Sequence, residues 1–370
     1  MKIDIVTDTF VPDVNGVAMT LGRLTDGMRQ RGHRVHVIHT GDSAGAGETC
    51  VPALPLPGYK EVRVGIPKPF ELRKRWMRKR PDAVYIATES PLGKSALKAA
   101  NALAIPVATG FHTNFQQYTA KYGMGSLQPM VMNYLRSFHQ RADCTLTPSP
   151  DMVKRLVAEG FENVHLLGRG VDTQLFSPEK RCEVLRADWD ARTTAPVALM
   201  VGRVAPEKNF DLAIRTFERM SRLSPDARFV VVGDGPLRAE LSRKFPWIHF
   251  AGVKTGEELA RHYASADVLV FPSETETFGN VLLEGMASGL AVLAYDYAAA
   301  AWHCVNGVNG VKVAKSDENA FLAAAETLLD APLRASLGRD ARRTAESLGW
   351  PAVVAELEQI FRVVSGANPR

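Results

Sequence analysis

Arg203 and Lys208 lie in the stretch GRVAPEKN, directly after the apolar run Leu199–Val201. A Pro-Glu turn separates them and can aim both cations at one point, where they would stabilise charge growing on a diphosphate leaving group. Taken alone, the pair reads as two solvated surface cations. Two carboxylates, Glu276 and Glu284, stand eight residues apart in FPSETETFGNVLLEGMASG, after the run Val268–Phe271. A helix starting near Gly279 or Asn280 puts Glu284 about one turn inside it. One acid can then grip sugar hydroxyls and the other ribose hydroxyls, while the N–H groups of Phe278, Gly279, Asn280 and Val281 face phosphates. Separately, the two acids read as a capping residue and a helix-surface Glu. Gly16, in DTFVPDVNGVA, lacks a Cβ and lets backbone approach a phosphate ahead of a helix near Val17, although a tight βα turn also explains it. No GxGxxG follows, so a dinucleotide dehydrogenase loses its main support.

These residues need strand ends to hold them. Short apolar runs at Ile3–Val6, Val35–Ile38, Ala83–Ala87, Val107–Thr109 and Cys144–Leu146 alternate with amphipathic stretches, the pattern of a parallel sheet with crossover helices. The stretch Val171–Thr194 carries turn and charge signals, and the pattern restarts at Val197–Val201, Phe229–Val232, Ile248–Phe250, Val268–Phe271 and Ala291–Leu293. The sequence therefore predicts an α/β protein of two Rossmann-like doubly wound domains, 1–171 and 195–350. Residues 172–194 read as a linker and 351–370 as a closing helix that packs back on the first domain. In such sheets ligands bind beyond the carboxyl ends of the strands, where these loops lie.

With 370 residues and 46% hydrophobic content the chain has material for two cores. Cys50, Cys144, Cys182 and Cys304 form no metal-ligand or disulfide spacing. The opening MKIDIVTDTF reads as a strand, not a leader, and no apolar run approaches the ~20 residues that span a bilayer. A cytoplasmic protein is expected. Asp188-Trp189-Asp190 reads as a solvated helix turn, not a metal motif. His33, His36 and His39 run into a strand, where their spacing separates them, so no metal site is expected.

The net charge of +5 is concentrated: Lys60 to Arg80 holds nine Lys/Arg against two Glu, leaving the rest of the chain at −2. Pro69 to Arg80 can form a helix with Phe70, Leu72, Trp76 and Met77 on one half and Lys74, Arg75, Arg78 and Lys79 on the other, the layout of an interfacial helix. Arg73, Lys74, Arg75, Trp76, Arg78, Lys79 and Arg80 are the residues expected to dock on an anionic membrane. Nucleic acid is not expected, since stacking aromatics beyond Trp76 are missing from the patch.

Glu276-x7-Glu284, the GRVAPEKN loop, Gly16, VVGDGP, HFAGVK and NGVNG stand in an order that resembles the retaining glycosyltransferases of family four over essentially the whole chain. The resemblance implies the GT-B fold, two Rossmann-like domains facing each other across a cleft. It implies that Arg203 and Lys208 hold a diphosphate, Glu276 the transferred sugar and Glu284 the ribose. Gly252, Val253 and Lys254 would border the base, Thr277 would belong to the donor-binding stretch, and His112 in GFHTNF would lie near the reacting sugar. Many relatives have Gly-Gly where this chain has Asn15–Gly16, and an acid or Arg where it has Ala301–Trp302–His303. The family's implied chemistry is front-face displacement from a nucleotide-diphosphate sugar, with no further cofactor and no metal. Within the family, FHTNFQQYTAKYGMGSLQPM and FPSETETFGNV look most like the branch that glycosylates diacylglycerol-type lipids. UDP-glucose heads the candidate donors and GDP-mannose follows. Such an enzyme would work peripherally on the inner face of the cytoplasmic membrane. A soluble or polysaccharide acceptor, a nucleotide-sugar epimerase and a non-catalytic nucleotide-sugar sensor are the alternatives.

Overall fold

The computed structural model describes residues 1–56, 59–112, 128–192 and 194–366. Residues 113–127, within the singled-out stretch FHTNFQQYTAKYGMGSLQPM, lie outside the described residues.

Two compact units emerge, residues 1–169 with 350–370, and residues 170–349. The first runs β1 (Lys2–Val6), α1 (Gly16–Gln30), β2 (Arg34–His39), β3 (Glu48–Cys50), β4 (Ala53–Leu56), β5 (Tyr59–Gly65), α2 (Pro69–Arg78), β6 (Ala83–Ile86), α3 (Pro91–Ala102), β7 (Val107–Gly110), α4 (Gln128–His139), β8 (Cys144–Thr147), α5 (Pro150–Ala158) and β9 (Val164–Leu166). Seven strands pair in the order β3-β2-β1-β6-β7-β8-β9, all parallel, while β4 and β5 form a separate antiparallel hairpin. β6, β7 and β8 are buried along their whole length, which is why each reads as a short apolar run without alternation.

The second unit contains α6 (Glu183–Asp188), β10 (Val197–Val201), α7 (Phe210–Leu223), β11 (Arg228–Val232), α8 (Arg238–Lys244), β12 (His249–Gly252), α9 (Gly256–Ser265), β13 (Val268–Phe271), α10 (Asn280–Ala287), β14 (Ala291–Tyr295), α11 (Ala298–His303), β15 (Val311–Val313), α12 (Glu318–Thr327) and α13 (Ala331–Glu346). Its parallel sheet has the order β12-β11-β10-β13-β14-β15. The chain builds outward from β10 to one edge, then returns and builds from β13 to the other. The switch point between β10 and β13 is where a doubly wound sheet opens a crevice for ligand.

The closing helix α14 (Trp350–Val364) belongs to the first unit. Its Val353, Val354, Leu357 and Phe361 join the core formed by Leu21, Leu24 and Met28 of α1 with Ile3, Ile5 and Tyr85 of the sheet. Glu358 fastens it: its carboxylate takes bonds from Arg31 and, at 2.6 Å, from Arg362.

Residues 172–194, expected as a linker, fall within the second unit, and Phe176, Trp189 and Ala191 join its core. The guanidinium of Arg186 is fully buried and donates to the carbonyls of Ser265 and Ala195 at 2.8 and 2.7 Å and to Asp267 at 3.1 Å. Trp189, read as part of a solvated turn, is buried instead, its ring 5.6 Å from that of His262. A charged composition hid a buried face, because the terminal guanidinium nitrogens of Arg186 find carbonyl and carboxylate acceptors inside the unit.

Candidate active site

In the second unit the two loops that follow β10 and β13 carry most of the residues singled out above. Lys208 closes a short turn of 3-10 helix, and Asn209 caps α7 from a left-handed conformation. The Lys208 ammonium bonds Oε1 of Glu276, which also accepts from Ser273 Oγ at 2.7 Å. Burial alone would raise the Glu276 carboxyl, but the charge and hydrogen bond of Lys208, helped by Ser273, hold it below its ordinary value. Arg203 Nη1 lies 3.6 Å from the buried carboxylate of Glu207, and Thr275 Oγ1 donates to the Glu207 carbonyl at 3.2 Å. Thr275 thus ties the β10 loop to the β13 loop. Tyr297 supports the latter by donating to the Glu276 carbonyl.

Asn280 starts α10, as the sequence predicts, and Gly279 precedes it at φ +96°. A Cβ there would also sit 3.1 Å from the Phe271 ring, so both backbone and space call for glycine. Among the described residues no side chain caps this helix; Leu282 N–H bonds back to the Gly279 carbonyl at 3.0 Å, which leaves the N–H groups of Asn280 and Val281 for an anion. Glu284 is the fifth residue of α10 and accepts from the Tyr263 hydroxyl at 2.8 Å. Burial raises the Glu284 carboxyl, an effect the tyrosine bond partly offsets. Phe278 is buried edge-on to Trp302 and His303, and its carbonyl accepts from Ala299 at 2.9 Å. Thr277 and Val281 are half-buried on either side of this turn. Gly252 ends β12 at φ +74°, Val253 is exposed, and Lys254 reaches Glu258 at 3.6 Å.

The first unit places Gly16 at the start of α1, but its helix end is already capped. Asn15 Oδ1 accepts from Val17 and Ala18 N–H at 3.1 and 2.9 Å, and its amide is held by Thr9, which in turn bonds Asp13. A phosphate arriving here competes with the Asn15 side chain for those donors. His112 stands just past β7, buried, with Nε2 2.8 Å from the Tyr85 hydroxyl and Nδ1 2.9 Å from Nη2 of Arg169.

The basic helix differs from its sequence reading. Trp76, expected on a docking face, is 1% exposed and donates its indole N–H to Asp4 at 2.8 Å. Leu72 is buried beside it, so these two residues form the helix's core stripe. Phe70 and Met77 point away from the core, 85% and 68% exposed, and share one shallow surface depression with Arg73, Lys74 and Arg78. Arg75 is drawn toward Asp4 at 3.5 Å. Lys79 follows the end of the helix, and Arg80 donates to the carbonyls of Leu103 and Ala104, turned toward the protein and not toward a partner.

Comparison with known proteins assigns this architecture. The profile described as Glycosyltransferase Family 4 matches residues 14–175, and that described as Glycosyl transferases group 1 matches residues 195–331. A GDP-mannose-dependent alpha-mannosyltransferase of Mycolicibacterium smegmatis is 34% identical, covering 99% of this chain and 98% of its own. The chain belongs to glycosyltransferase family 4. An alpha-monoglucosyldiacylglycerol synthase of Streptococcus pneumoniae is 28% identical over 80% of this chain and 71% of its own. HepE of Anabaena, solved in complex with UDP, superimposes with a TM-score of 0.79 at 17% identity, covering 98% of this chain and all of its own. With two parallel-sheet Rossmann-like units and these structural neighbours, the fold is GT-B.

As a family 4 glycosyltransferase the protein uses a nucleotide sugar. Several residues that surround its candidate groups carried no signal in the sequence: Ser273 and Tyr297 around Glu276, Tyr263 on Glu284, and Tyr85 and Arg169 on His112. Each pairing joins residues from different strands, helices or loops, except Ser273, which falls within the β13 loop. Among the described residues no cluster of His, Cys, Asp or Glu is arranged to hold a metal ion, and no helix is long and apolar enough to cross a membrane.

Proposed function

We propose that this protein is a retaining hexosyltransferase that moves a sugar from a nucleotide diphosphate to a diacylglycerol-type lipid at an anionic membrane surface. The observation that carries the donor half is the convergence of Lys208, Glu276 and the uncapped start of α10 on two loops flanking the β10/β13 switch point. Arg203, Lys208 and the α10 N–H groups stabilise charge growing on the diphosphate, each such donor being worth about 3 kcal/mol. Glu276 takes sugar hydroxyls, Glu284 the ribose, and Gly252, Val253 and Lys254 the base. His112 serves the reacting sugar and Gly16 the phosphates. The anomeric C–O bond to the diphosphate breaks as the acceptor oxygen bonds on the same face, and the acceptor's proton passes to the departing diphosphate oxygen. The protein's own cations do this work, so no metal is required.

GDP-mannose moves ahead of UDP-glucose among the candidate donors, because relatives matching essentially the full length are GDP-mannose-dependent mannosyltransferases. The diacylglycerol-type acceptor is supported by the similarity to the pneumococcal alpha-monoglucosyldiacylglycerol synthase and by α2, whose outer face sets Phe70 and Met77 among Arg73, Lys74 and Arg78. Cations near an anionic surface contribute ~1 kcal/mol each. The test is transfer of labelled hexose from GDP-mannose or UDP-glucose into the organic phase of vesicles containing diacylglycerol and anionic phospholipid. Lipid-soluble product is expected with one of the two. Nucleotide release with label remaining in water would replace the lipid by a soluble acceptor.

A further inference from the structure

We propose that Arg169 is a positioning residue that fixes His112 as the neutral imidazole carrying its proton on Nε2. This rests on the assignment of His112 to the reacting sugar given above. A guanidinium has five N–H donors and no acceptor, so the 2.9 Å contact of Arg169 Nη2 with His112 Nδ1 requires a bare lone pair on Nδ1. The ring's proton then sits on Nε2 and points at the Tyr85 oxygen 2.8 Å away. Arg169 is itself held rigidly: it is 7% exposed, and its Nη1 donates to the carbonyls of Leu167 and Gly168 at 2.8 and 3.0 Å. Among the described residues no carboxylate pairs with it, and burial lowers it to about 10. A buried cation kept without a counter-charge beside a histidine works against a second positive charge on that ring.

Among the described residues, the groups facing His112 act in one direction. Tyr85 on β6 is raised by burial well above the ordinary phenol value and remains a hydroxyl. Arg169 beyond β9 and His139 on α4 both disfavour an imidazolium, and behind His139 stands Glu89, 3.2 Å from its Nε2. Burial is the largest cause and these charges add to it, leaving His112 well below the ordinary imidazole value. The ring is therefore a fixed dipole of one orientation and not a proton carrier.

The experiment is 15N NMR of the full chain labelled at histidine, with the His112 signal assigned by its loss in His112→Gln. The expected wild-type pattern is a protonated Nε2 and a bare Nδ1, unchanged between pH 6 and 8. Arg169→Met should lose this pattern and begin to protonate as pH falls toward 6, whereas Tyr85→Phe, which keeps Arg169, should retain the bare Nδ1. In nucleotide-release assays Arg169→Met should lower kcat about 10²-fold, the cost of misplacing a reacting group by an ångström, with donor KM little changed. Its kcat should also decline toward pH 6 where the wild type does not. Arg169→Lys, which restores charge and donor, should recover part of kcat. A wild-type ring protonated on Nδ1 or on both nitrogens overturns the proposal, as does Arg169→Met with unaltered tautomer and kcat. Wild-type protein that turns over no nucleotide hexose overturns the functional reading instead, and the NMR pattern still decides where the proton sits.

Discussion

Replacing Lys208 by Met and Glu276 by Gln, singly and together, separates a donor site from an ordinary ion pair. The two side chains are 21% and 14% exposed, so each single substitution strands a mostly buried charge. Breaking a fully buried pair costs about 3–5 kcal/mol; at this partial exposure, and with Ser273 still bonded to Glu276, about 1–2 kcal/mol is expected for Lys208→Met. The double substitution leaves two neutral groups of similar shape and should return most of that stability, a coupling of about 1–2 kcal/mol in a double-mutant cycle. Turnover should not return. Losing one preorganised contact to the leaving group costs about 10²–10³ in kcat, and the double variant loses the sugar contact as well. Thermal melts and nucleotide release measured on the same four proteins give both cycles. A folded double variant recovering more than a tenth of wild-type turnover would show that the pair only braces the two loops.

Tyr263→Phe removes the hydroxyl that orients Glu284 and should raise donor KM severalfold with kcat little changed, because a ribose contact is equal in ground and transition states; steady-state kinetics check it. Glu358→Gln should lower the melting temperature at pH 7. The bonds from Arg362 and Arg31 hold the Glu358 carboxyl at about 2 against an ordinary 4.5, so its stabilisation is complete above 4.5 and lost as pH falls through about 2. The gap between variant and wild-type melts should therefore close across that window. Phe70→Ser with Met77→Ser, and Arg73→Glu with Lys74→Glu and Arg78→Glu, should each reduce co-sedimentation with anionic vesicles while leaving nucleotide release intact, whereas Trp76→Ala should instead destabilise the first unit by about 3–5 kcal/mol. Equal sedimentation of all these proteins would reject docking through α2.

The central strands were legible because both their faces are buried, so each is a short apolar run: VALMV, RFVVV and VLVF are buried at nearly every residue. The three-residue edge strands ETC, VHL and VKV, only partly buried, were not legible, since half-exposed polar residues leave no such run. The β13 loop and the start of α10 were readable from the local order of Glu276, Gly279 and Glu284. Helix α2 was readable as a helix but not as to which apolar residues face inward, because the choice depends on Asp4, 72 positions away in sequence, accepting from Trp76. Arg169 was invisible for the same reason. Nothing near it in sequence marks a residue whose partner lies 57 positions earlier.

The most direct test of the donor-site assignment is release of nucleoside diphosphate from GDP-mannose and UDP-glucose by purified protein in EDTA. Turnover of at least one donor, undiminished by the chelator and lost in Lys208→Met, is the expected result. Absence of turnover with both donors, or activity that returns only when magnesium or manganese is added, would contradict it.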